Sequence, residues 1–478
     1  MSRLARFTAV PLLALVATLA LIAPSASAQA SRYEAEDAAC EGTVDSNYAG
    51  FSGRGFCNTP NRVGARMEFT VHAETAGTLT LGVKYANGST AARPADLSVN
   101  GALVRSAVAF EPIGAWSSWA VENLTVPVRA GANTVRLTAA TAGGLANIDY
   151  LDTARAGDSA LPPNLQWNSS GPLVFPKSDA THNIVSVKDP SVVYHNGRYH
   201  VFVSVVSANQ GYSLAYLSFT DWSQAGSAPL RFLDTTAIGT GYKAAPQVFY
   251  FAPQQRWYLT YQIGDNVAYS TTANIADPAS WSAPKPFYAG TPQIVLDNMG
   301  EGQWLDFWTI CDSANCHMYS SDDNGNLYRA QTSLARFPNG FSEPVIAMHD
   351  PNHHWLFEGA NVYRLAGENE YLLMVEAITA GGRIFRSWTS SNVSGPWTPL
   401  ADTKENPFAS RSNVTFDGTA WTNDISHGEL IRGGVDQTLT VSPCDLRFLY
   451  QGKDPDVSAP YNLLPWRLGL LTQTNSPC

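Results

Sequence analysis

Charge is what this sequence has least of. Only 15% of its 478 residues are Asp, Glu, Lys or Arg, the net charge is −10, and no basic stripe or Lys/Arg-rich run occurs. Nucleic acid and anionic membrane surfaces, which are bound through clustered cations, are excluded as partners on that ground. Long hydrophobic runs are missing too: beyond the first 28 residues none reaches the roughly 18 apolar residues that a membrane span needs. Met1 to Ala28 carries Arg3 and Arg6, an apolar run from Ala9 to Ala23 whose end Pro24 interrupts, and Ala26-Ser27-Ala28, which together read as a signal peptide cleaved after Ala28. A secreted, soluble, monomeric protein is expected. Cysteine is scarce but even in number, as suits export: Cys40, Cys57, Cys311, Cys316, Cys444 and Cys478. Pairing near neighbours joins 40 to 57 and 311 to 316, and leaves 444 with 478. Cys311 and Cys316 could also be half of a metal site, although no second pair of that spacing accompanies them.

Aromatic residues, by contrast, abound, with 13 Trp and 20 Tyr. Most must pack in cores, but flat rings also cover the apolar faces of sugars, and a neutral partner suits the charge balance.

From Ser31 to Asp152 apolar and polar residues alternate at period two, as in Leu79, Leu81, Val83 and Tyr85, so residues 29–152 are expected to form a β-sandwich. TARAGDSALPPN, residues 153–164, has the composition of a linker. The region 165–478 contains a repeat of which only the skeleton recurs: DPSVVY at 189, APQVFY at 245, DFWTIC at 306, EGANVY at 358 and HGELIR at 427, each leading into a hairpin. Intervals of 56, 61, 52 and 69 residues suit about four strands each, which predicts a five-bladed β-propeller in an all-β chain.

In a propeller the innermost strands line the axis, so the first positions of the five repeats converge. They hold Asp189, Ala245, Asp306, Glu358 and His427. Acids at strand starts are often turn formers, but three at one register repel and raise each other's pKa, which points to use. Two uses compete. The four groups could hold Ca²⁺ or a transition metal, or two of the carboxyls could perform glycoside hydrolysis, one protonating the leaving oxygen and one activating water.

The stretches VKDPSVVYHNGRYHVF, YKAAPQVFYFAPQQRWYLTYQ, LDFWTICD, SSDDNGNLYRAQT, FEGANVYR, NVTFDGTAWTNDISHGELIR and YNLLPWRLGLLTQ resemble the family 62 glycoside hydrolases over the whole of this region. The resemblance implies a secreted α-L-arabinofuranosidase that removes side chains from arabinoxylan with inversion. It implies Asp189 as the general base, Glu358 as the general acid, and Asp306 as a third acid that orients the sugar and keeps Glu358 protonated. Inversion requires roughly 6.5 to 9.5 Å between base and acid. Lys188 and Tyr461 resemble pocket residues for the terminal arabinofuranose. His427 resembles a residue beside a Ca²⁺ in the channel, where a core histidine is the alternative reading because Ca²⁺ prefers oxygen. Related readings are a propeller glycosidase acting on arabinan or another arabinofuranose or xylose polymer, and a non-catalytic glycan-binding protein.

YEAEDA at 33 and NIDYLD at 147, the ends of the sandwich, resemble those of a family 35 carbohydrate-binding module. The resemblance implies a structural Ca²⁺ on Glu34, Glu36 and Asp149, with Trp116, Trp119 and Asn147 as candidate ligand contacts. Solvated edge charges and core tryptophans are the alternatives.

Overall fold

The structure, a computed structural model, describes residues 31–73, 76–155 and 159–476. The expected signal peptide and Cys478 lie outside the described residues. Strands dominate, and among the described residues the one α-helix is the short Gln293–Asn298. Among the described residues no helix is long and apolar enough to cross a membrane.

The N-terminal unit is the expected sandwich. One sheet runs through Ala39–Cys40, Arg66–Ala73, Gly131–Ala139, Ala95–Val99 and Ala102–Val108; the facing one contains Ser31–Glu34, Asn147–Arg155, Gly77–Ala86 and Ala120–Val128. Alternation does its work here: Met67, Phe69, Val71, Val135 and Leu137 point inward against Leu81, Val83 and Leu124. Cys40 and Cys57 are joined by a disulfide. The last strand continues to Arg155, three residues past the boundary the alternation gave.

The rest is five mainly antiparallel sheets in chain order. Their first strands are Ile184–His195, Ala244–Phe251, Leu305–Cys311, Glu358–Leu365 and Ser426–Leu430; the first four each pair with the next strand in sequence, and the fifth pairs with Arg447–Gly452. Trp167–Ser169, from the beginning of this region, pairs with Arg467–Gln473 in the fifth sheet, so the two ends of the region are hydrogen-bonded together. The five first strands touch one another in cyclic order, first to second and so on to the fifth, which returns to the first. Buried polar groups tie them. Arg432 pairs with Glu429 at 2.7 Å, both side chains wholly buried, and donates to the carbonyls of Val192 (3.1 Å) and Val248 (2.7 Å) in two other sheets. Gln247 bonds the backbone of Thr309 through its Nε2 donor (2.8 Å) and its Oε1 acceptor (2.8 Å). Cys311 and Cys316 form a disulfide across a hairpin, and Cys444 is disulfide-bonded as well.

One edge of the third sheet does not end in solvent. Val345–His349 lies parallel to Ala120–Val128 of the sandwich, with Ile346 opposite Ala120 and its N–H on the carbonyl of Trp119 at 3.1 Å. The two units thus share a ten-stranded sheet, and Trp304, Phe307 and Ile346 join the sandwich core.

Candidate active site

Each of the five first strands breaks its pairing near its start. The ladder skips from Lys188 to Ser191, Ala244 to Gln247, Leu305 to Trp308, Glu358 to Asn361 and Ser426 to Gly428. Bulges of this kind re-aim side chains. In four of them the residue at the skip is left-handed: Asp189 at φ 48°, Ala245 at 46°, Asp306 at 56° and Gly359 at 65°. The expected register is corrected here. Gly359, not Glu358, is the equivalent of Asp189, Ala245 and Asp306, with His427 in the fifth sheet; Glu358 stands one residue earlier, level with Lys188. Non-glycine residues held in this region carry strain, a feature concentrated at functional sites.

His427 gathers two of the acids. Its Nδ1 lies 3.3 Å from Asp306 Oδ2 and 3.7 Å from Asp189 Oδ1. Burial opposes a charge on the ring, but Asp306 and then Asp189 push His427 up to about 10. In return, the His427 charge and the Gly359 N–H, which donates to Asp306 Oδ2 at 2.9 Å, hold Asp306 below the ordinary carboxylate range against the effect of burial. Asp306 therefore stays a fixed negative charge. The chain of contacts from Asp189 to Glu358 runs through His427, Asp306 and Gly359.

Lys188 and Tyr461 are brought together as expected. Lys188 Nζ donates to Tyr461 Oη at 3.1 Å and to Tyr212 Oη at 3.4 Å, and sits 3.9 Å from Asp189 Oδ1. Burial disfavours its charge, yet Asp189 and the surrounding oxygens raise its pKa. Tyr461 is 45% exposed and so forms the rim. Tyr242, also exposed, packs on Tyr212 with ring centroids 5.5 Å apart.

Several groups here escaped the sequence reading. Glu358 pairs with Arg383 Nη1, and the same nitrogen binds Glu376, which is opposite Glu358 in the ladder. Glu376 is fully buried, accepts from the His427 N–H at 2.6 Å, and is pushed up to about 7 by burial, with Arg383 opposing the shift. Asp323 hydrogen-bonds Glu358, and burial, Glu358 and Asp306 push it up to about 9. It is left-handed as well, at φ 57°. The signals were faint: Asp323 lies inside the quoted SSDDNGNLYRAQT, and Glu376 ends the strand YLLMVE.

The sandwich residues lie elsewhere, and three expectations are corrected. Trp119 is 2% exposed, packs edge-on to Phe56 and donates to the carbonyl of Ala49 at 2.8 Å; it is a core ring, not a ligand platform. Asn147 is buried too. Trp116 is half-buried, stacked near Tyr48, with the Arg93 guanidinium 4.8 Å from its centre. Asp149 is fully buried, and its carboxylate is taken by Lys84 at 2.9 Å and by the Ser52 N–H at 3.0 Å, which does not fit a calcium ligand.

Among the described residues no three His, Cys, Asp or Glu side chains are grouped to hold a metal ion. At His427 the fit to calcium fails, since the ring nitrogen faces the acids as a cation would. Glu34 and Glu36 fit in part. Their carboxylates flank Gly53, where a Cβ would come 2.1 Å from Glu36 Oε1, and the buried Glu36 Oε2 has no hydrogen-bond partner.

Neighbouring carboxyls, one of them held ionised, beside a lysine and a rim of tyrosines suit glycoside hydrolysis. Residues 166–472 match the family model of glycosyl hydrolase family 62, and the chain belongs to that family. It is 42% identical over 462 residues to alpha-L-arabinofuranosidase C of Cellvibrio japonicus (strain Ueda107), covering 90% of this chain and 71% of that one. A solved family 62 hydrolase in complex with xylotriose is 52% identical with a TM-score of 0.63, covering 65% of this chain and 98% of that one. The N-terminal unit is similar to the family 35 module of Cellvibrio japonicus Abf62, at 38% identity over 27% of this chain and 95% of that one, with a TM-score of 0.25. The protein is thus a glycoside hydrolase of the α-L-arabinofuranosidase type, carrying a unit similar to family 35 carbohydrate-binding modules.

Proposed function

We propose that the protein is a secreted, monomeric enzyme that removes α-L-arabinofuranosyl side chains from arabinoxylan with inversion. The observation that carries this reading is the convergence of Asp189, Asp306 and Glu358 through His427 and Gly359. Asp189 takes the proton of an attacking water. Glu358 delivers a proton to the leaving oxygen, and Asp306, held ionised, orients the sugar and favours a protonated neighbour. Inversion places the attacking water on Asp189, across the sugar from Glu358. Lys188, Tyr461, Tyr212 and Tyr242 line the approach of the terminal sugar. A xylan main chain is favoured because the related hydrolase described above holds xylotriose.

The five sheets are read as the blades of a β-propeller spanning about 165–478, supported by the cyclic contacts of their first strands and by the N-terminal strand within the fifth. Residues 29–152 are the carbohydrate-binding module and 153–164 the linker, with export directed by residues 1–28. Ca²⁺ on Glu34 and Glu36, completed by water, would hold the first strand of the module to the loop at Gly53.

Proton NMR of fresh digests of wheat arabinoxylan and of debranched arabinan tests the central reading. Wild-type protein releases β-configured arabinose from arabinoxylan first, and Glu358→Gln does not. Initial release of α-configured arabinose, or release from arabinan alone, would overturn it.

A further inference from the structure

A cavity of about 460 Å³ lies between the two units, away from the acids described above. Its walls include Arg32, Lys84, Trp119 and Tyr150 of the sandwich, Arg329 of the third sheet, and Glu343 in the loop before Val345–His349. Two of its three cations are satisfied. Arg32 binds Asp152 with two bonds of 2.8 Å, and Lys84 binds Asp149 at 2.9 Å and the Gly50 carbonyl at 2.8 Å. They also cover the ring faces, with Arg32 3.6 Å from the centre of Tyr150 and Lys84 5.3 Å from both Tyr150 and Trp119. Rings already capped by cations offer no platform to a neutral sugar.

Arg329 is different. It is 8% exposed, and its Nη1 meets only the neutral partners Gln331 Oε1 (2.9 Å) and His317 Nδ1 (3.3 Å). Its buried Nε has no hydrogen-bond partner, and among the described residues no carboxylate pairs with it. Glu343, the acid on the wall, is exposed to solvent. A guanidinium kept from water and from any counter-ion is costly unless a ligand completes it, and a carboxylate matches its fork. The remaining volume suits one sugar-sized body, and Ser117, Gln331 and Ser342 on the wall can bond hydroxyls.

We propose that this cavity binds a carboxylate-bearing ligand of about monosaccharide size, its carboxylate paired with Arg329 and its body held between the two units. The site is independent of the debranching reaction. A sugar acid and a free organic acid share this chemistry, and the test separates them.

The experiment is calorimetric titration of the full chain with sodium D-glucuronate, sodium succinate and D-glucose, repeated on Arg329→Gln and on Ser342→Trp, which fills the cavity from its rim. Glucuronate is expected to bind saturably and at least tenfold more tightly than glucose. Both variants should weaken it at least tenfold while hydrolysis of an aryl arabinofuranoside stays unchanged. Succinate binding as well as glucuronate would keep the carboxylate site and make the ligand a free organic acid. Equal binding of glucose and glucuronate overturns the proposal, as does glucuronate binding that survives in both variants, since it would then sit elsewhere. No heat of binding from either acid overturns it too.

Discussion

Glu358 and Glu376 share one nitrogen of Arg383. A general acid must be protonated when substrate arrives, whereas a guanidinium held against it alone would favour the ionised form. The second carboxylate divides that cation between two partners. Glu376→Gln should leave Arg383 to Glu358, lower kcat on arabinoxylan by roughly 10²-fold and move the alkaline limb of the pH profile to lower pH. An aryl arabinofuranoside with a good leaving group, which needs no acid, should be spared. Equal losses on both substrates would mean that Glu376 only supports the fold.

Asp323 provides a stability test with a defined sign. Its folded-state pKa of about 9 exceeds the ordinary value of 3.8, so the folded protein binds more protons than the unfolded one between those limits. Stability contributed by this residue therefore falls as pH rises from about 4 to about 9. In Asp323→Asn that part of the slope disappears. Urea unfolding at pH 5 and pH 9 should show a smaller difference for the variant than for wild type, and parallel losses would refute the protonated assignment.

His427 has the same sign over a higher range. A base raised from 6.5 to about 10 adds stability that is complete below the unfolded value and lost as pH climbs through the folded one. Two-dimensional ¹H–¹⁵N NMR of the imidazole, recorded with chelator and again with added calcium, should find it doubly protonated at pH 8 with chelator. A neutral ring in the chelated sample would contradict the ion pairs with Asp306 and Asp189. A ring that loses its proton only when calcium is added would restore the metal-ligand reading.

Glu429 and Arg432 form a pair with no access to water. Arg432→Met should destabilise the protein by about 3 to 5 kcal/mol, because a buried charge is left alone and the Val192 and Val248 carbonyls lose their donor. Adding Glu429→Gln should recover part of that loss in denaturant unfolding. No recovery would show that the carbonyl bonds, not the pair, carry the effect.

Much of this was legible in the chain. Period-two alternation announced the sandwich, and the recurring skeleton located all five first strands, together with Asp189, Asp306 and His427 at their mouths. The slip at Glu358 was not read, although its cause is written there: a left-handed position takes glycine, and Gly359 is that glycine. Arg383 and Glu376 were invisible because they reach Glu358 across a hairpin, and nothing in GGRIF or YLLMVE marks a charge as pointing to the axis. The partner of Asp149, Lys84, was not read because it sits in a strand some sixty residues earlier and looks from sequence like a solvated charge. Trp119 belongs to the same class of error: an aromatic near a loop can serve a ligand or a core, and only packing decides.

The shared sheet at Ile346 and Ala120 has a mechanical consequence. Where two modules are joined by a flexible tether, the tether's length sets how often they meet the same polymer. Here hydrogen-bonded strands set the spacing, so lengthening the chain between Arg155 and Ser159 should barely alter it. The N-terminal unit then stands at a distance from the pocket set by rigid geometry, not by chain statistics.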